Sequence, residues 1–316
     1  MSFNATPLGN PSTLQNYYVV CSLSGVSSLI AVLISLLILI LVRRTKPRLH
    51  TVRHLLMCNT CIASIFYCVV QSVNYVYLIF LPWETSDISC RWRSYFGYMT
   101  LCASIYSYFI QAISRLFISI FSATHRWLSS FRAHYLLILV QWSVVALLPL
   151  PAILTTDVRF RPLSLCWVPK QHLIHVTYTY IAYYIFPTLS IGIIYVYIYY
   201  RVKQTAKRAS SLIRSSNSSK RDLELLRNIL ILLIIYLLGG VPSILFILTG
   251  ANVIYLASIV TISSAVAIEK ICAILLDRDI RQVVLGWIRP GARVMPFDQS
   301  HTGGRGLENL YQTQVT

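Results

Sequence analysis

Arg115 stands twenty-five residues after Cys90, and Cys166 lies seventy-six residues beyond that cysteine. A guanidinium presents a rigid fork of donors to carboxylates and carbonyls, and two thiols persist as a disulfide where the compartment is oxidising. Glu269-Lys270 is a third feature, with adjacent opposite charges inside a stretch rich in Ala, Val and Ile. Ionisable residues at membrane depth cost at least roughly 2.5–3.5 kcal/mol each and usually face a cavity or a partner. The seven histidines are scattered and form no HExxH pair. His172 and His175, three apart, could share a metal but are expected to line the end of a helix. These patterns call for no catalytic residue, no metal and no cofactor.

The elements that position these residues are set by composition. At 316 residues, 56% hydrophobic and 12% charged, with mean hydropathy +0.64, the chain is too apolar for a water-soluble globule, where about a quarter of residues are charged. A membrane-spanning helix needs about 20 apolar residues. Seven runs qualify, near Tyr18–Val42, Leu55–Leu81, Tyr95–Phe121, Tyr135–Leu154, His175–Tyr200, Leu225–Thr249 and Val253–Leu276. A barrel would show segments of about 10 residues alternating apolar and polar, which these continuous runs do not. The fold class expected is an all-α membrane protein, a seven-helix transmembrane bundle. The first run is too long for a signal-peptide core and has no small-residue cleavage site behind it, so it is read as a retained helix.

Charge gives the orientation. The net charge of +17 could suit nucleic acid, but the basic residues sit in alternate loops. They follow run one (Arg43, Arg44, Lys46, Arg48, Arg53), run three (Arg126, Arg132), run five (Arg201 to Arg227) and run seven (Arg278, Arg281, Arg289, Arg293). Under the positive-inside rule this places the N-terminus outside the cell and the C-terminus in the cytoplasm, with lipid bilayer rather than nucleic acid as the partner. Cys90 and Cys166 then both lie outside and are expected to be bridged; the alternative is two free thiols. The other cysteines fall mostly inside apolar runs, where Cys acts as a small hydrophobe. Asn4-Ala5-Thr6 is a glycosylation acceptor on the outer side.

These residues together resemble the rhodopsin-like (class A) G-protein-coupled receptors over about residues 18–290. Cys90 and Cys166 match that family's outer disulfide. Ser114-Arg115-Leu116 stands where the family has Asp/Glu-Arg-Tyr; Trp142, Pro187, Tyr195 and Pro242 match its fourth-, fifth- and sixth-helix landmarks. Within the family the chain looks closest to divergent invertebrate peptide or chemosensory receptors. It also departs from the pattern. Ser114 replaces an acid, Gly240 a tryptophan and Ser64 a buried Asp; Ala267-Ile268-Glu269-Lys270-Ile271-Cys272 stands in place of NPxxY.

The resemblance implies a receptor that binds an extracellular peptide or small molecule and activates a heterotrimeric G protein at the plasma membrane. It implies Arg115 and Tyr195 at the G-protein cleft and a ligand pocket of Asn74, Gly97, Tyr98, Thr179, Tyr180, Tyr183 and Tyr255. Gly97 disfavours a monoamine, and Ser263, standing where an opsin carries its retinal lysine, argues against light sensing. Ser64, Ser104, Glu269 and Lys270 are read as a polar cluster at mid-bundle; the alternative has Lys270 snorkelling and Glu269 meeting Arg278. The chain divides into an N-terminus (1–17), the seven-helix domain (18–277), an amphipathic interfacial helix (278–289), where Ile280, Val283, Val284, Trp287 and Ile288 share one face, and a disordered cytoplasmic tail (290–316). A carrier or channel is the competing class, although seven runs without an internal repeat do not suit it.

Overall fold

An apolar chain in lipid must satisfy its own backbone N–H and C=O groups, which a helix does within one segment. The computed structural model describes residues 11–45, 49, 51–80, 86–121, 126–161, 164–209 and 216–288, and helices dominate them. Asn4, residues 1–10, Lys46, Arg48 and the tail 290–316 lie outside the described residues. In chain order the α-helices are α1 (Pro11–Arg44), α2 (Val52–Phe80), α3 (Asp87–Leu116), α4 (Phe131–Leu147), α5 (Pro151–Leu154), α6 (Leu173–Tyr180), α7 (Phe186–Ala209), α8 (Ser216–Thr249), α9 (Asn252–Leu276) and α10 (Arg278–Ile288). Seven stretches are long and apolar enough to cross a bilayer: Gln15–Arg44, Val52–Phe80, Asp87–Ile120, Phe131–Leu154, Leu173–Arg201, Arg227–Thr249 and Asn252–Leu276. The fifth joins α6 and α7, and the sixth is the latter part of α8.

Local chemistry sets the helix ends. Ser86 and Ser130 cap α3 and α4 by accepting from the backbone N–H groups of Ser89 and Ala133. α3 therefore begins at Asp87 rather than at the first strongly apolar residue, and Cys90 lies within its first turn. Gly250, with φ 70°, turns the chain between α8 and α9, a left-handed conformation that a side chain would strain.

The fifth span changes its winding at Ile181–Ile185, a π-helical turn just before Pro187. Phe186 N–H bonds the Ile181 carbonyl instead of that of Ala182. Pro187 has no N–H to offer, so the Ala182 carbonyl is free to accept from the Tyr106 hydroxyl of α3 at 3.0 Å. One missing donor thus locks α3 to the fifth span.

α3 is the most buried span. Asn59 of α2 joins it to α4: Asn59 Nδ2 donates to Gln141 Oε1 at 2.7 Å, Trp142 Nε1 donates to Asn59 Oδ1 at 2.9 Å, and Gln141 Nε2 donates to the Ala103 carbonyl at 3.1 Å. α8 and α9 meet at Gly239, where a Cβ would collide with that of Ala265 and come within 3.1 Å of the Thr261 carbonyl. Close approach over glycine is how helices pack where lipid removes the hydrophobic drive between them.

Candidate ligand cavity and the far-end arginine

At one end of the bundle Cys90 is bonded to Cys166, with Cα atoms 5.3 Å apart. This draws the loop before α6 across the top of α3. The Val168 N–H donates to the Tyr98 hydroxyl at 3.0 Å, and the Leu165 N–H donates to the Tyr255 hydroxyl at 2.8 Å. Trp167, between them, packs its ring edge-on to Tyr98 with centroids 4.9 Å apart. The loop is therefore held by a covalent bond and two phenols over the space beneath it.

That space is a cavity of about 130 Å³. Of the residues expected there, Tyr98, Thr179, Tyr180, Tyr183 and Tyr255 line it. Asn74 and Gly97 lie beside one another behind the wall: a Cβ at Gly97 would meet Asn74 Nδ2 at 3.8 Å and Gln71 Nε2 at 3.9 Å. Gln71 forms the wall at that level, with Tyr67 and Tyr75. The sequence carried a signal for these three, because Tyr67, Gln71 and Tyr75 recur every four residues and so share one helix face. Trp167, Ser243 and Phe246 had no comparable pattern. Tyr184 packs against Gly240, where a Cβ would lie 3.4 Å from its ring. An aromatic of the fifth span thus fills the room that glycine leaves in the sixth.

A second polar feature marks this end. Asp157 accepts from or pairs with His175 Nδ1 at 2.9 Å and His172 Nδ1 at 3.2 Å. The hydrogen bond from His175 holds the Asp157 carboxyl below the ordinary carboxylate range. The two imidazoles share a carboxylate that fastens the loop to the start of α6.

About two turns before α9 ends at Leu276, Lys270 Nζ donates to Glu269 Oε1 at 2.9 Å, both side chains almost wholly buried. Adjacent helical residues do not ordinarily face each other, so the flexible lysine stem folds back to reach its neighbour. Cys61 and Cys68 of α2 flank Lys270, and Tyr108 and Tyr236 flank Glu269. Ser64 and Ser104 are buried, and Ser104 donates to the Thr100 carbonyl of its own helix at 3.1 Å.

At the far end Arg115 lies within electrostatic reach of Tyr195, whose hydroxyl is buried with no hydrogen-bond partner. Ser114 is turned toward α4. His134 Nδ1 lies 2.8 Å from the Ser130 carbonyl, which can only accept, so in the neutral ring Nε2 accepts from Ser114 at 2.8 Å. Asp277 ends α9 by pairing with Arg53 at 2.8 Å and accepting from the N–H groups of Asp279 and Ile280, which starts α10.

This fold, seven spans with a disulfide-lidded cavity at one end and Arg115 near Tyr195 at the other, accompanies a match to a family model. Residues 17–275 match the 7 transmembrane receptor (rhodopsin family). The chain belongs to that family and is a multi-pass membrane protein. It is similar to the neuromedin-K receptors of Oryctolagus cuniculus and Homo sapiens, each 29% identical over 178 residues, 54% of this chain and 38% of the relative. It is also similar to the histamine H1 receptor of Mus musculus, 33% identical over 113 residues, 35% of this chain and 22% of the relative. The matched region thus spans well under half the length of these curated relatives. Family membership favours a receptor over the carrier or channel alternative.

Proposed function

We propose that the chain is a plasma-membrane receptor that binds a peptide or small molecule at its disulfide end and activates a heterotrimeric G protein at its far end. The observation that carries this is the position of α3 between the two sites. Tyr98, three turns into α3, lines the lidded cavity, and Arg115, in its last turn, lies near Tyr195. A ligand shifts the population of bundle states only by its difference in affinity between them, and one helix touching both sites transmits that difference.

On this reading the N-terminus is extracellular and the C-terminus cytoplasmic, Asn4 is a glycan acceptor, and α10 lies along the cytoplasmic interface. The buried Glu269–Lys270 pair, with Ser64 and Ser104 nearby on α2 and α3, forms the polar core whose packing separates the two states. Arg115 supplies donors to the partner's carbonyls.

The test is nucleotide exchange on purified G proteins by the full chain in lipid nanodiscs, screened against a peptide and metabolite library. At least one ligand is expected to raise exchange in the wild type. Arg115→Ala is expected to abolish that response while keeping ligand binding. Ion or solute flux in proteoliposomes without any exchange would replace the receptor with a carrier.

A further inference from the structure

Arg93 lies one turn into α3 from the disulfide cysteine Cys90, at the same end as the cavity. Its guanidinium sits over the face of Tyr77 of α2, 4.3 Å from the ring centroid. Its Nε and Nη2 atoms are buried and have no hydrogen-bond acceptor. These two nitrogens share one edge of the guanidinium, the edge whose parallel N–H groups grip both oxygens of a carboxylate. The neighbouring Arg91 differs, because its Nε donates to the Val158 carbonyl at 3.4 Å.

Among the described residues the surroundings offer more donors and no acid to pair with Arg93. Ser94 Oγ and Gln71 Nε2 are also buried and unpartnered, and Gln71 forms part of the cavity wall. Asn74 Nδ2 faces the bare backbone of Gly97, which stands one helical turn, about 6 Å, from Arg93 along α3. Among the described residues α2 holds no acid, and Asp87 of α3 accepts from Phe160 N–H. A desolvated charge without a counter-ion is costly, as are buried donors without acceptors. The seam between α2 and α3 thus holds, one turn beyond Gly97 and next to the Gln71 wall of the aromatic cavity, a buried cationic fork with no acceptor.

We infer that this seam is the subsite for an acidic group of the ligand, a carboxylate seated on the Nε/Nη2 edge of Arg93 while an apolar or aromatic portion fills the cavity. The inference rests on the cavity being the ligand site and names the class of ligand it takes. Gly97 is the specificity position, because a side chain larger than alanine there would press on Asn74 and Gln71, which line the seam beside the cavity.

N-acetyl-L-tryptophan and its primary amide differ in the charge at issue and serve as probes. Thermal unfolding of the full chain in detergent, titrated with each, should show saturable stabilisation by the acid with an apparent affinity at least about tenfold tighter than the amide's, as expected for a lost charge-assisted pair. Arg93→Gln should remove that difference. Arg93→Lys, which keeps the charge without the fork, should retain only part of it. Gly97→Val should block the acid with Arg93 intact, whereas Gly97→Ala, whose Cβ finds ordinary contact distances, should bind it. Retention of the Cys90–Cys166 bond and an unliganded unfolding midpoint near the wild-type value certify each variant as folded. Equal behaviour of acid and amide on the wild type, no shift by either at solubility-limited concentration, or a preference that survives in Arg93→Gln overturns the inference. A chain that activates G protein only with uncharged ligands would keep the receptor function and lose this subsite; one that selects the acid yet never drives exchange would keep the subsite and lose the function.

Discussion

Single residues decide how charge is tolerated inside the bundle. Lys270 and Glu269 neutralise each other at 2.9 Å with almost no solvent contact. Removing one partner leaves a buried charge and costs about 3–5 kcal/mol, whereas replacing both by apolar residues of similar volume is far milder. Lys270→Met is therefore expected to lower the unfolding midpoint sharply in detergent, and Glu269→Leu combined with Lys270→Met to restore most of it. A double variant no better than the single would show that the pair holds the core through something other than charge. Asp157 poses the corresponding question in the loop outside the spans. Its carboxyl is held below the ordinary range by His175, so its contribution is present above the unfolded value, about 3.9, and lost as pH falls through the depressed one. The stability gap between wild type and Asp157→Asn should persist at neutral pH and close only in acid below about pH 4. A gap that closes near neutrality would contradict this ordering.

At the scale of elements, small residues and missing donors set the contacts between helices. Gly239 has no room for a Cβ against Ala265, while Gly240 faces only the ring of Tyr184 at ordinary distance. Gly239→Ala is expected to push α8 from α9 and cost about 1–3 kcal/mol as overpacking, and Gly240→Ala to cost much less. Matched thermal denaturation of the two variants would decide, and equal effects would count against the close approach. The same logic explains the fifth span. Pro187 was legible as a fifth-helix landmark, but the π turn and the Tyr106 bond to the Ala182 carbonyl depend on which neighbouring helix brings a hydroxyl, which no local pattern states.

For the whole molecule, the disulfide coordinates the lid. The chain between Cys90 and Cys166 covers 76 positions, and cross-links of that span restrict the unfolded ensemble by several kcal/mol, typically about 2–5 when a native bond is removed. Cys166→Ser should lower the unfolding midpoint and free the loop whose N–H groups reach Tyr98 and Tyr255, exposing Trp167 to a collisional quencher. Unchanged quenching would mean that the two phenols hold the lid unaided.

Hydrophobic length determined seven spans from the sequence alone, because a bilayer imposes one solution on any long apolar run. The charge rule put Cys90 and Cys166 on one side and the family resemblance implied their bond, which is present; the run read from Tyr95 missed the first two turns of α3, whose start at Asp87 the Ser86 cap sets. Which side chains converge was another matter. The sequence named Asn74 and Gly97 as pocket residues, and the structure puts them behind Gln71. It left Glu269 and Lys270 between mutual pairing and separate partners, and it gave no hint that Ser114 turns to His134 or that Arg93 buries an edge without an acceptor. Those choices depend on how the spans rotate and lean against one another, which glycine contacts, proline-freed carbonyls and buried hydrogen bonds settle only once all seven are packed.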